Sequence, residues 1–315
     1  MKLLGLSAGR KMGNSEILLK EALIAAEEMG IEAEMLRLHD LNIKPCTGCT
    51  ACVQGKNGLI FGGSGECVIK GDDMPLFNEK LWESDGIIIS MPVFIFQPPG
   101  YLKVLCDRCG PSHDQAFVRE AKKIAGGKSE VDQRIFKPRV GGFLSVGGAP
   151  NFDWHSLALP LMHTFTFPME IKIVDMYGVK AAAIPGQVAL NDEAIARAGK
   201  LGQHVAGAMG KPEEQIRYMG DDTGTCPVCH CNAMIIGKES IVECAICGIK
   251  GELKEREGAI TVTFSEEQQA ISRLTLAGKA RHFYEIADVQ REFDTRKAEL
   301  PPKLEKYKAY KPQWK

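Results

Sequence analysis

The chain has 315 residues, 44% of them hydrophobic and 25% charged, with a formal net charge of -1. That length accommodates one large domain and a smaller appendage, and the neutral balance excludes nucleic acid and membrane surfaces as electrostatic partners. The start, Met1 to Lys11, is apolar too briefly for a signal peptide, and no run of about 18 apolar residues occurs, so a cytoplasmic protein is expected.

In chain order, Lys2 to Leu6 reads as a buried strand. Ser15 to Met29 carries apolar residues near the helical period and stops at Gly30. Ile31, Ala33 and Met35 alternate with Glu32 and Glu34, the pattern of a strand near a sheet edge. A helix over Pro75 to Glu83, a strand Gly86 to Ser90 and a helix Tyr101 to Arg108 follow. Then come a strand Val140 to Val146, a helix His155 to Phe165, a strand Ile171 to Met176 and a helix Asp192 to Met209. Ser112 to Lys137 and Tyr177 to Asn191 are poorly patterned. Strands alternating with helices predict an α/β fold, a doubly wound five-stranded parallel sheet over residues 1–210. Ligands bind such sheets at the carboxyl ends of the strands.

The loop after the first strand, Ser7-Ala8-Gly9-Arg10-Lys11-Met12-Gly13-Asn14-Ser15, leads straight into a helix. Its hydroxyls, its free N–H groups and the Arg10 cation suit a phosphate, while an N-cap at Asn14 or Ser15 within an ordinary turn is the plainer reading. After the third strand comes Ser90-Met91-Pro92-Val93-Phe94-Ile95-Phe96, then Gly100-Tyr101-Leu102-Lys103 and Asp107-Arg108. After the fourth comes Gly147-Gly148. Taken in this order, the motifs resemble the flavodoxin-like NADPH-dependent FMN reductases over residues 1–210. The resemblance implies that Ser7, Arg10, Gly13, Asn14 and Ser15 hold the FMN phosphate. It places Pro92, Val93, Phe94, Ile95 and Phe96 along the isoalloxazine, with Gly147 and Gly148 approaching the ring from its other side. Ser7-Ala8-Gly9 stands where the family has Gly-Ser-Pro, and Phe94 where it has Tyr. Apart from the motifs, Phe94 to Phe96 read equally well as core residues.

Eleven cysteines, an odd number without a secretory signal, argue for metal ligands over disulfides. Cys46, Cys49 and Cys52 have the C-x2-C-x2-C beat that suits an iron–sulfur cluster. With Gly65-Glu66-Cys67 and Asp72-Asp73-Met74, the loop 45–74 resembles the iron–sulfur flavoproteins, which implies a [4Fe–4S] cluster on Cys46, Cys49, Cys52 and Cys67. Fourteen residues separate Cys52 from Cys67, an extension that can loop out at little entropic cost. Zinc or vacant thiols remain alternatives. Cys106 and Cys109 read as structural thiols or spare ligands.

Residues 211–223 are polar and unpatterned and read as a linker. Beyond them Cys226, Cys229, Cys244 and Cys247 form two C-x2-C knuckles, fourteen residues apart. This module, 224–264, resembles zinc ribbons and rubredoxin. The lack of a glycine after Cys229 favours zinc over iron, with His230 and Cys231 as supporting or bystander residues. Ser265-Glu266-Glu267-Gln268 has the spacing that starts a helix, expected to run to about Glu292 within a C-terminal segment 265–315. From Thr295 on, seven basic residues face two acidic ones, interleaved with Tyr307, Tyr310 and Trp314. This tail reads as a solvated extension or as an arm packing on another subunit of a dimer or tetramer.

The resulting expectation is an FMN-dependent oxidoreductase that takes electrons from NAD(P)H or ferredoxin and passes them, with or without a cluster, to a small organic acceptor. A plain NAD(P)H:FMN or quinone reductase with structural metal is one alternative, and a redox-responsive protein whose ribbon docks a partner is another. His155 and Asp153 are the weak proton-donor candidates.

Overall fold

The structure is a computed structural model that describes residues 1–311. The amino-terminal body runs β1 (Lys2–Ser7), α1 (Asn14–Glu27), β2 (Glu32–Arg37), a short α2 (Ala51–Gln54), α3 (Met74–Glu83), β3 (Gly86–Pro92), α4 (Gly100–Arg108) and α5 (Gln115–Ile124). It continues with β4 (Val140–Val146), α6 (Ala158–Thr166), β5 (Lys172–Val179) and α7 (Asp192–Ala208). The five strands are parallel in the order β2-β1-β3-β4-β5, the doubly wound flavodoxin-like topology anticipated above. β2 lies at the edge, where its Glu32 and Glu34 reach solvent or half-reach it, whereas β3 at the centre is buried almost throughout.

Leu3, Ile88, Leu144 and Val174 pack against α1 and α7 on one face; Leu4, Ile87, Ile89 and Phe143 pack against α3, α4 and α6 on the other. α1 and α7 meet closely: a Cβ on Gly202 would lie 1.9 Å from the Ala22 carbonyl oxygen, so only glycine permits the approach. Ser7 pairs with Ser90, and Pro92 with Val146, so the loops after β1, β3 and β4 leave one edge together. The winding reverses between β1 and β3, which opens the crevice there.

The carboxyl-terminal part is an antiparallel sheet, β6 (Met234–Ile236), β7 (Ile241–Cys244), β8 (Lys250–Arg256) and β9 (Ala259–Thr263), followed by α8 (Glu266–Ala270), α9 (Leu276–Arg296) and α10 (Leu300–Ala309). Two expectations change here. The single helix from Ser265 is broken. Ser265 does cap α8, but at Ser272 the chain leaves helical bonding, the Arg273 N–H donates to the Cys247 carbonyl at 2.9 Å, and Thr275 caps a second helix. The segment 211–223, polar enough to read as a linker, is docked. Met219 N–H donates to Val174 O at 2.7 Å, Ile216 is buried, and Asp221 pairs with Arg197, which also grips buried Asp175 at 2.6 Å. α9 is likewise held, by Lys279 paired with Glu170 at 2.7 Å and by Phe283 edge-on to Phe117. Trp314 lies outside the described residues. Among those described, no helix is long and apolar enough to cross a membrane.

Candidate functional site

The loop after β1 is built as an anion cradle. Ser7 is fully buried at the end of β1, and its Oγ has no hydrogen-bond partner among the described residues. Gly13 N–H donates to Arg10 O at 3.0 Å, closing the loop, and Met12 takes a left-handed φ of 53°. α1 starts at Gly13, which offers no side-chain cap, so its first N–H groups face the loop without one. A Cβ on Gly9 would fall 2.1 Å from Ser15 Oγ, space the loop keeps clear. An orphaned hydroxyl, uncapped N–H groups and the exposed Arg10 cation together fit the phosphate of FMN.

Asn14 departs from its expected role. Its amide donates to Ala182 O at 2.8 Å and Ile184 O at 2.9 Å and accepts from Val188 N–H at 3.1 Å, so the side chain ties α1 to the loop after β5 and leaves only its backbone for a phosphate. Sequence reasoning also missed the buckle beneath. Glu16 is fully buried, 2.6 Å from Arg37 and 2.9 Å from Lys20, and accepts the Met12 N–H at 3.2 Å. Burial alone would raise its pKa, but these partners outweigh it and hold the carboxyl at about 2.

After β3 the chain makes a two-residue hairpin turn, with Phe94 and Gln97 exchanging backbone hydrogen bonds at 2.9 and 3.2 Å. Ile95 and Phe96 occupy φ of 49° and 70°, the left-handed pair normally supplied by Asn-Gly. A β-branched residue there is strained by about 1–3 kcal/mol, a cost concentrated at functional sites. Phe94 and Ile95 are 53% and 78% exposed, which excludes the core reading. Phe96 stacks on Trp154 at 5.4 Å, and Pro92 and Val93 lie half-buried behind them. The shelf sits beside the cradle because the Tyr101 hydroxyl donates to Ala8 O, across the crevice.

The Gly147-Gly148 turn packs against His155. A Cβ on Gly147 would lie 2.2 Å from His155 Cε1, so the glycine admits the imidazole. His155 Nε2 is 2.8 Å from Ala149 O; a carbonyl only accepts, so Nε2 carries a hydrogen and donates it, and Nδ1 has no hydrogen-bond partner among the described residues. Asp153 is exposed and, among the described residues, makes no ion pair or side-chain hydrogen bond, so the two candidates form no dyad.

In the first cysteine loop Cys46 and Cys49 are exposed, and Cys52 and Cys67 are half-buried. The Ala51 N–H and the Thr47 side chain pull the Cys49 thiol down, whereas burial and the neighbouring Cys67, Cys46 and Cys49 push Cys52 up. The four thiols thus share one electrostatic neighbourhood. They are not drawn into the tight cage that one ion requires, while a cubane spreads its ligands wider. The excursion between Cys52 and Cys67 docks through buried Leu59 onto Val118 and Ala121 of α5 and onto Val131 and Ile135. Its return is laced to its start: Asn42 N–H donates to Asp73 at 2.7 Å, Lys44 Nζ to Lys70 O at 2.8 Å, and buried Arg108 to Lys44 O at 2.7 Å and to Asp72. This donor set fits a cluster. Cys106 donates to Thr164 O at 3.2 Å and Cys109 lies in the core, so neither reaches the loop as a spare ligand.

The second set is a cage. Sγ atoms of Cys226, Cys229, Cys244 and Cys247 are all buried and within 4.8 Å of one another, with 3.2 Å between Cys226 and Cys247 and 3.4 Å between Cys229 and Cys244. Tetrahedral bonds of about 2.3 Å put ligand sulfurs roughly 3.8 Å apart, so one thiophilic ion fits. His230 adopts φ 58°, matching Gly248 at 72°, so the two knuckles share one backbone and the missing glycine loses its value in choosing a metal. Stacking on Tyr218 at 3.8 Å and an Nδ1–H donated to Thr223 O at 3.0 Å hold His230 there. Cys231 stays outside the cage, its thiol 3.4 Å from Cys229 O.

Comparisons with known proteins agree with this anatomy. The family model described as NADPH-dependent FMN reductase matches residues 1–174. Flavone synthase cfoJ of Aspergillus candidus is 32% identical over 294 residues, covering 91% of this chain and 88% of that protein. An iron-sulfur flavoprotein of Methanocaldococcus jannaschii is 29% identical over 213 residues, covering 65% of this chain and 96% of that protein. Among solved structures, a flavone reductase superposes with a TM-score of 0.79 at 28% identity, covering 100% of this chain and 99% of that one.

Proposed function

We propose that this chain, which belongs to the NADPH-dependent FMN reductase family and is a flavin-dependent oxidoreductase, moves an electron pair between a nicotinamide donor and a planar conjugated acceptor of the flavone type. The observation that carries the acceptor class is likeness along the full chain, metal module included, to a flavone reductase and a flavone synthase. Those two names describe opposite directions of one two-electron couple, loss or gain of the double bond conjugated to the ring carbonyl.

When bound, FMN supplies the hydride or single-electron chemistry, which the polypeptide only orients. Ser7 Oγ, the α1 N–H groups and Arg10 fix the phosphate end. Phe94, Ile95 and Phe96 keep water from the reacting face and offer flat apolar area to a ring system. Reducing an enone also needs a proton at carbon, and His155, its ring packed on the Gly147 turn and its Nε2–H held by Ala149 O, is the residue we assign to take a proton from solvent at Nδ1 and deliver it there.

The laced cysteine loop supports a [4Fe–4S] cluster on Cys46, Cys49, Cys52 and Cys67 as an electron relay. The buried cage at Cys226, Cys229, Cys244 and Cys247 supports one thiophilic ion that folds the module, and zinc is the ion we assign to it. Anaerobic purification followed by absorption spectroscopy, iron, sulfide and zinc analysis, and turnover of flavone against NADH, NADPH and reduced ferredoxin tests these assignments. Flavin bands, about four irons and one zinc per chain and NAD(P)H-driven flavone reduction are expected. Reduction of menadione but not flavone sinks the acceptor class, and iron-free protein sinks the relay.

A further inference from the structure

A cavity of about 380 Å³ opens where the flavin domain meets the metal module. Leu157, Leu159, Pro160 and Met176 form one wall, from α6, the residue just before it and β5. Tyr218, Cys231 and Ala233 form the other, from the docked segment and the first knuckle. The volume falls in the range of small-ligand pockets, and the lining is mostly apolar with a few polar tips, as in sites for flat aromatic molecules. His155 is shared. It lines the cavity, and its ring fills the space over Gly147, so it stands between the turn after β4 and the cavity.

The second wall exists only because the knuckle is closed. Cys226 N–H donates to Cys231 O at 3.1 Å. Thr225 donates through its N–H and its hydroxyl to Asn232 Oδ1 at 2.7 and 2.8 Å, and Asn232 donates to Asp222 at 3.2 Å. His230, held left-handed between the two, stacks on Tyr218. Residues 230–233 therefore take their places from the loop that carries Cys226 and Cys229. A tetrathiolate ion is what closes such a loop, since four buried thiolates without a cation repel one another.

We propose that this seam cavity is the acceptor site, that it takes a planar flavonoid-sized aromatic ligand, and that the metal module forms half of it. Metal occupancy then governs acceptor binding without touching the FMN cradle. The ligand class rests on the flavone reading above; the cavity and its dependence on the knuckle do not.

The test uses the FMN- and metal-loaded protein with flavone as probe. Flavone affinity is measured by equilibrium dialysis for the wild type, Ala233→Trp, Leu157→Trp and protein stripped of its module metal. FMN content and NADPH–ferricyanide turnover are followed in parallel. Each tryptophan is expected to weaken flavone binding at least tenfold while FMN content and ferricyanide turnover stay unchanged, and stripping is expected to do the same. The tryptophan variants keep all four cysteines, which separates a lost wall from a lost fold. Flavone binding unchanged in both variants, affinity surviving metal removal, or no flavone binding to the wild type each overturns the proposal. Flavone bound at this cavity without turnover refutes the assigned reaction and leaves the cavity standing.

Discussion

Replacing Glu16 with Gln tests whether the buckle under the phosphate loop carries the stability its geometry implies. The carboxylate is fully buried between Arg37 at 2.6 Å and Lys20 at 2.9 Å, and its pKa is held at about 2 against an ordinary 4.5. At 1.36 kcal/mol per unit that difference is about 3 kcal/mol of preference for the charged form. The amide is nearly isosteric and keeps one acceptor for Met12 N–H, so the expected loss is about 2–3 kcal/mol at pH 7, or roughly 3–5 °C in thermal midpoint. Because the folded pKa is depressed, the contribution is complete above pH 4.5 and disappears as pH falls towards 2. Urea titrations of wild type and variant at pH 7, 4.5 and 3 should show a gap that narrows with acid. A difference below about 0.5 kcal/mol at pH 7, or one that does not change with pH, refutes the reasoning. FMN affinity should fall as well, since Arg37 and Lys20 no longer grip a charge at position 16 beneath the cradle.

Ser7→Ala and Arg10→Ala should each weaken FMN binding about tenfold, the worth of one charge-assisted hydrogen bond, as read from flavin fluorescence on dilution; unchanged retention means the phosphate lies elsewhere. Gly147→Ala places a methyl 2.2 Å from His155 Cε1 and must expel the imidazole. Acceptor reduction should fall at least tenfold with FMN still bound, and kcat equal to wild type would remove His155 from the proton path. Cys67→Ser should abolish iron and sulfide while the module metal stays, and Cys247→Ser should do the reverse. Metal analysis showing both losses in either variant would mean that the two sites are coupled.

Much of the fold was legible because its signals are local. β2 shows its edge position in its alternating glutamates, and the central β3 shows its burial in an unbroken apolar run. The knuckles are equally plain, since a C-x2-C turn needs only neighbouring residues. α5 was legible too: Asp114 caps it, accepting from Phe117 N–H at 2.9 Å, and Phe117, Ala121 and Ile124 recur at helical spacing, yet the stretch reads as unpatterned when its flanking loops are averaged in. The break at Ser272 was invisible for a different reason: the chain gives up helical bonds there for one to Cys247, a partner twenty-five residues away.

By itself, then, the sequence determined the sheet, the flavin-type loops and both cysteine sets, since each depends on spacing within a few residues or on a short-range apolar period. Only the tertiary structure decided what those residues face. The Asn14 side chain binds the loop at Ala182, and His155 packs over Gly147. It also decided that the polar segment 211–223 docks on β5 and that the knuckle walls a cavity beside α6. Such assignments depend on which surfaces meet when the chain closes, and no local pattern encodes a contact such as that of Asn14 with Ala182, 168 positions away.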